Sequence, residues 1–253
     1  MTRTTLGAKA PLVLSALFAI AAVPFASALD GAAGKEVDSF DAGRGELKIT
    51  FLGHASLVIE FGGAVIYIDP VRQYADFTKL PKADLILVTH EHGDHLDPAA
   101  IDSLRKPDTR IILPEASRAK LGSGEALEHG RAVQAAGISA EAVPAYNSSA
   151  GRTGYHPKER KDNGYVLTVG TLRVYVAGDT EPTSEMARMG AIDIAFLPMN
   201  LPYTMSPEQA AAAARTIRPR ILYPYHFGST DAGLLTKLLA GEKGIEIRVR
   251  RLQ

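Results

Sequence analysis

Thr89-His90-Glu91-His92-Gly93-Asp94-His95 places three histidines and two acids within six residues, directly after the run Ala83-Asp84-Leu85-Ile86-Leu87-Val88. That run is short, apolar and partly β-branched, so it reads as a buried strand. Alternate residues of an extended segment point the same way, so His90 and His92 can grip one cation. The turn at Gly93 swings Asp94 and His95 towards a second, and the spacing encodes two metal pockets. A lone histidine at a strand end is more often a hydrogen-bonded core or surface residue. Here, so many charge-capable groups at the mouth of a buried strand would cost several kcal/mol unless something satisfied them, and a divalent metal pair does so.

Two other strands end in residues able to do chemistry. Thr171 to Ala177 runs into Gly178-Asp179-Thr180, which presents Asp179 as the first motif presents its ligands, and Arg220 to Tyr225 delivers His226. His54 sits on a turn before a strand. His129 has no acid or histidine beside it at ligand spacing and reads as a surface residue. Neither a Gly-x-Ser-x-Gly elbow nor a phosphate-binding glycine loop is present, so metal-assisted hydrolysis has no internal rival.

The elements that must position these residues form two similar halves. Leu47 to Phe51 alternates as a half-buried strand, and Ser56 to Phe61 with Ala64 to Ile68 flank Gly62-Gly63 as a tight hairpin. Residues 31–45 read as a polar, glycine-rich lead-in and 71–82 as a loop at the rim. A helix from Asp97-Pro98 to Leu104, a strand from Arg110 to Leu113 and a helix from Glu115 to Leu121 follow the central motif. Ile138 to Val143 is another strand, and Gly164 to Val169 with Thr171 to Ala177 form a second hairpin around Gly170. Ala191 to Pro198 reads as a buried strand. Ser206-Pro207-Glu208-Gln209 opens a helix that Pro219 stops, Asp231 to Leu239 is a last helix, and Ile245 to Val249 is an edge strand. The internal echo fits an α/β fold of the αββα sandwich type: two mixed β-sheets face to face, with helices on the outside.

The 253 residues, 46% hydrophobic, can bury one large core or two small ones, and Lys plus Arg balance Asp plus Glu at 28 each. No global field draws the protein to nucleic acid or to an anionic membrane. Cysteine is absent, which excludes disulfides and thiolate ligands and leaves imidazole and carboxylate. Residues 1–28 read as a signal peptide: Arg3 and Lys9, an apolar run from Leu12 to Val23, and the small-x-small site Ala26-Ser27-Ala28. Cleavage after Ala28 would release residues 29–253 as an exported, periplasmic domain with no stable membrane insertion. The alternative is a retained anchor.

The form His-x-His-x-Asp-His at a strand end resembles the signature of the metallo-β-lactamase superfamily, matched residue for residue by His90, His92, Asp94 and His95. The resemblance extends to Gly178-Asp179-Thr180 and Pro224-Tyr225-His226. Gly53-His54-Ala55-Ser56 and Ala145-Tyr146-Asn147 look like the branch that includes the ascorbate-6-phosphate lactonases and the N-acyl-phosphatidylethanolamine phospholipases. The resemblance implies two divalent ions, zinc foremost with manganese and iron as alternatives. His90, His92 and a third ligand would hold the first, and Asp94, His95 and His226 the second, with Asp179 shared. It also makes Asp69 a candidate acceptor for a ligand imidazole, against a simple strand-ending Asp-Pro turn, and His54 a candidate catalytic group, against a turn residue that only satisfies backbone carbonyls. Asp94 becomes a proton shuttle if only one ion binds.

Many relatives place a third histidine where this chain has Asn147. Three outcomes stay open: Asn147 ligates weakly, His156 folds in from the following loop, or more water completes the site. The length of the loop favours His156. Residues 148–163 carry Arg152, Lys158, Arg160 and Lys161 with Tyr155, read either as a solvated face or as a lid receiving an anionic small-molecule substrate. The expected reaction is attack of a metal-bound hydroxide on an ester, lactone or phosphodiester. A catalytically weak metal-binding protein or partner module is the alternative. A redox di-iron centre would need an electron donor, and the chain carries no flavin domain.

Overall fold

A computed structural model describes residues 1–2, 32 and 34–252, so all but the first two residues of the expected leader lie outside the described residues. Among the described residues no helix is long and apolar enough to cross a membrane.

Two seven-stranded sheets repeat one plan. In the first, β1 (Glu36–Asp41), β2 (Glu46–Gly53), β3 (Ser56–Phe61) and β4 (Ala64–Ile68) run antiparallel. β5 (Leu85–Leu87), β6 (Arg110–Leu113) and β7 (Glu125–Ala126) then continue in parallel. In the second, β8 (Ala132–Ala135), β9 (Ile138–Ala145), β10 (Asp162–Val169) and β11 (Leu172–Val176) are antiparallel. β12 (Ile194–Pro198), β13 (Ile221–Tyr225) and β14 (Glu246–Ile247) are added in parallel. Gly62 and Gly63, at φ of 60° and 85°, make the two-residue turn that right-twisted strands favour.

Alternation along the strands decides which face meets what. Ile66, Ile68, Leu85 and Leu87 look into the sandwich, where Phe51 packs 5.0 Å from Tyr223 and 6.1 Å from Phe196 of the facing sheet. Val65, Tyr67, Ile86 and Val88 look outward to α1 (Pro98–Leu104), which buries Ala100, Ile101 and Leu104 against them. α2 (Glu115–Leu121) follows β6. On the second sheet, the capping box of Ser206 and Gln209 starts α3 (Pro207–Ile217), which with α4 (Ala232–Leu238) joins the core cluster.

Four sequence expectations need correction. The lead-in at 31–45 contains β1, an edge strand whose alternate residues face solvent, Val37 at 49% exposure among them, so no apolar run advertised it. The second sheet begins at β8, a short strand at the other edge, not at the 164–177 hairpin, and β10 starts at Asp162. The 71–82 rim is pinned by a short 3₁₀ turn at Phe77–Lys79 that buries Phe77 against Tyr67. The last strand pairs only over Glu246–Ile247.

Candidate metal centre

Six of the seven histidines, His54, His90, His92, His95, His156 and His226, converge where strands of both sheets end. Three strand ends turn through the left-handed region without glycine: His54 at φ 52°, Asp69 at 45° and His226 at 46°. Aspartate and histidine tolerate that region better than most residues, and such conformations cluster at functional sites. The turns also grip one another, since His54 N–H donates to Leu252 O (2.8 Å) and His226 N–H donates to His54 O (3.1 Å). Gly178, at φ 66°, presents Asp179, and a Cβ there would lie 2.8 Å from Asn163 O.

His90, His92 and His156 form one cluster, with all their donor atoms within 4.8 Å of one another. His90 Nε2 and His92 Nδ1 face each other at 3.0 Å, while Thr89 Oγ1 lies 3.0 Å from the other ring nitrogen of His90. His156 turns Nε2 inward, 3.4 Å from Asp179 Oδ2, with Asp162 3.5 Å from its Nδ1. Asn147 holds its side-chain oxygen buried without a hydrogen-bond partner. Its amide donates to Tyr203 O (2.7 Å) and Arg152 O (3.2 Å), and its N–H donates to His156 O (2.8 Å). It ties the loop that delivers His156.

The second cluster is His54, Asp94, His95 and His226, within the same 4.8 Å limit. His95 donates from Nδ1 to Asp69 (2.8 Å), which leaves Nε2 bare and 3.5 Å from Asp179 Oδ1. Asp69 also accepts from the N–H and hydroxyl of Thr89, both at 2.7 Å, so one carboxylate orients the whole motif. Asp94 Oδ2 lies 3.1 Å from His54 Nε2 and 3.4 Å from His226 Nε2. Asp179 completes the arrangement with Oδ2 3.2 Å from His226 Nε2, so its two oxygens face both clusters. The His54 ring stacks on Tyr74, 5.3 Å away at 16°.

These residues fit a pair of divalent cations. His95 Nε2, Asp179 Oδ1 and both ring nitrogens of His226 are buried without hydrogen-bond partners, a condition that natural interiors avoid unless an ion satisfies the groups. Burial alone would raise the Asp179 carboxyl, but the imidazoles of His226, His95 and His90 outweigh it and hold the carboxyl well below its usual range. Asp94 behaves alike: burial is overcome by the neighbouring imidazoles of His226 and His54. Burial, then the charge of His95, drives His90 well down. Burial and Arg160 lower His92, which favours the neutral, ligating form. On His95 burial loses to Asp179 and Asp69, so its proton affinity is raised; a proton and a cation compete there for one negative field.

Two arginines of the 148–163 loop pair with acids of the protein. Arg152 forms an ion pair with buried Glu181, which also accepts from Ser148 N–H (2.7 Å) and Ser149 N–H (2.6 Å). Arg160 forks onto Asp162 and reaches Glu91 (3.2 Å), His92 Nε2 (3.0 Å) and His156 Nδ1 (3.0 Å). Lys158 lies 4.5 Å above the Tyr146 ring. His129 is half-buried, with Nε2 2.9 Å from Asp162 O. Sequence reasoning missed Asp162, Glu181 and Tyr74, and named Arg160 only as one of a basic run. Nothing in spacing marks them, because each acts through a loop whose fold-back the sequence does not encode locally.

A cavity of about 400 Å³ opens onto the clusters, lined by His92, Asp94, Tyr155, His156, Asp179, Asn200, Tyr203 and His226. Comparison with known proteins agrees with this geometry. The profile of the β-lactamase superfamily domain matches residues 48–226. A UPF0173 metal-dependent hydrolase of Methanopyrus kandleri is 32% identical over 200 residues, covering 72% of this chain and 85% of its own. The crystal structure of a provisionally assigned metal-dependent hydrolase from Parabacteroides distasonis superposes with a TM-score of 0.84 at 52% identity, over 87% of this chain and all of that one. Igni18, a metallo hydrolase of Ignicoccus hospitalis, gives 0.65 at 25% identity, over 81% and 95%.

Proposed function

Because the chain belongs to the metallo-β-lactamase superfamily of metal-dependent hydrolases, we propose that it cleaves an ester, lactone or phosphodiester at two divalent ions held between its sheets. The observation that carries this reading is Asp179, whose oxygens face His95 on one side and His156 and His226 on the other. One carboxylate so placed suits two cations about 4 Å apart. His90, His92 and His156 would hold one ion, and Asp94, His95 and His226 the other, with zinc first among candidates for a nitrogen and oxygen donor set. When bound, the ions supply Lewis acidity and lower the pKa of a water between them towards neutrality.

The chain's own groups do the remainder. Thr89, Asp69 and Asp162 sit at the outer nitrogens of His90, His95 and His156, so the inner nitrogens face the ions. Asp94, at 43% side-chain exposure, is the carboxylate open to the cavity, and His54 steadies it at 3.1 Å. If only one ion binds, Asp94 is instead free to receive a proton from the attacking water and return it to the leaving group, with His54 beside it. The leader at residues 1–28 supports export to the periplasm, checked by fractionation and by a mature N-terminus at Leu29.

Metal analysis of the purified mature chain, followed by assays on ester, lactone and phosphodiester substrates, tests the proposal. Two equivalents of metal with turnover that disappears in Asp179→Asn is the expected result. Two equivalents with no turnover on any class would establish a metal-binding protein instead.

A further inference from the structure

We infer that the mouth of this site binds the planar aromatic group of an uncharged ester against the Tyr155–Tyr203 pair; the inference rests on the hydrolytic reading above. Both tyrosines line the cavity beside the ligand clusters, and both are exposed, at 36% and 47%. Their rings meet edge to face, with centroids 5.1 Å apart and planes at 78°. An edge-to-face pair leaves a ring face open for a third aromatic group to stack. Leu201, 48% exposed, extends the apolar surface on the same loop as Tyr203. Large apolar side chains gathered at a cavity mouth mark a binding surface rather than incidental exposure.

The pair is held in place by buried polar groups that make no contact with the cavity. Asn147 donates to Arg152 O and to Tyr203 O, joining the two loops through one amide. Arg152 donates from Nη1 to Thr204 O at 2.9 Å, crossing the same gap, and Glu181 anchors Arg152 from below. Each tyrosine N–H closes a turn, Tyr155 onto Arg152 O (3.1 Å) and Tyr203 onto Asn200 O (2.9 Å). Aromatic groups fixed before binding lose little entropy when a ligand arrives.

The mouth offers no cationic side chain to the aryl end of the ligand. Among the described residues the lining holds no lysine or arginine, and its two carboxylates, Asp94 and Asp179, are taken by the ions in the hydrolytic reading. The arginines of the adjoining loop point into Glu181 and Asp162, so the bidentate fork that recognises phosphate or carboxylate groups is engaged within the protein. Hydrolysis of such an ester adds one water across the acyl C–O bond. The acyl carbon keeps the water oxygen as a carboxylate, the departing alkoxide takes one of the water's protons and leaves as the alcohol, and the other proton is released to solvent.

The test compares binding with turnover in the metal-loaded chain. N-Benzylacetamide, a slowly reacting isostere of benzyl acetate, should bind about three- to ten-fold more weakly to Tyr203→Ala than to wild type, with Tyr203→Phe close to wild type. N-Ethylacetamide should bind both forms equally weakly, and the anionic analogue 4-(acetamidomethyl)benzoate should bind less well than its neutral parent. Calorimetry or ligand-observed NMR reads each, with metal content checked in every variant. Benzyl acetate should be preferred to methyl acetate, whose alcohol has a similar pKa, and the preference should shrink in Tyr203→Ala. Ring-independent binding, or tighter binding of the anion, overturns the inference. Ring-dependent binding without turnover of any ester, lactone or phosphodiester supports it and refutes the hydrolytic reading instead.

Discussion

Asp69→Asn isolates what one buried carboxylate does for the second ion. Asp69 is fully buried and accepts three hydrogen bonds, two from Thr89 at 2.7 Å and one from His95 Nδ1 at 2.8 Å. Its backbone sits at φ 45°, which asparagine accommodates, so the substitution leaves the turn unstrained. Asparagine keeps one acceptor oxygen and puts an NH₂ group in place of the other. If the oxygen stays with Thr89 N–H, the NH₂ opposes the N–H of His95, and either the pair remains unsatisfied or His95 moves its proton to Nε2. An unsatisfied buried donor costs about 1–3 kcal/mol, and the tautomer shift protonates the atom that faces Asp179 at 3.5 Å. Loss of such an orienting partner lowers metal affinity by about 10- to 100-fold, or about 1.4–2.7 kcal/mol. Competition with a chromophoric chelator reads this directly: one class of site should weaken and the other should keep its affinity. An Asp69→Asn variant that folds and binds both equivalents as tightly as wild type would refute the assignment of Asp69 as the group that fixes His95.

His156→Ala should lose about one metal equivalent, whereas Asn147→Ala should keep both and instead shorten protection of the 148–155 amides in hydrogen exchange; metal analysis and exchange separate the two. Asp38 accepts from Tyr223, Arg248 and Arg250. Burial would raise its carboxyl, but those donors lower it. Its contribution is therefore present above the unfolded carboxylate value of about 3.9 and is lost as pH falls through the lower folded value. Asp38→Asn should cost about 1–3 kcal/mol in denaturant titrations at neutral pH, with the gap to wild type closing in strong acid. Chelation should lower the melting temperature with the logarithm of the free-metal excess removed, about 2.7 kcal/mol per site for a hundredfold excess over the dissociation constant, and scanning calorimetry at fixed metal concentrations tests it.

The sequence made the centre legible wherever a ligand sat at the end of an apolar strand. Leu85 to Leu87 announced His90 to His95, and Ile221 to Tyr225 announced His226, because burial on both faces leaves an unbroken apolar run. Asp179 was legible for the same reason. Edge strands were not: β1 and β8 alternate half-exposed residues, and their pairing is decided by neighbours distant in the chain. The roles of Asn147, Arg152 and Arg160 were hidden because they depend on how the 148–161 loop folds back, a long-range matter. A run of cations looked the same whether it faced solvent or, as Arg152 and Arg160 do, buried acids.

Both ligand clusters take donors from each side of the short connection between β7 and β8. His90 and His92 meet His156 across it, and Asp94 with His95 meets His226. A polypeptide severed at residues 128–131 would thus yield two fragments, neither owning a complete coordination sphere. Zinc supplied to the mixture becomes a reporter of reassembly, since tight uptake demands that the fragments first find each other through the apolar seam where Phe51 meets Phe196 and Tyr223.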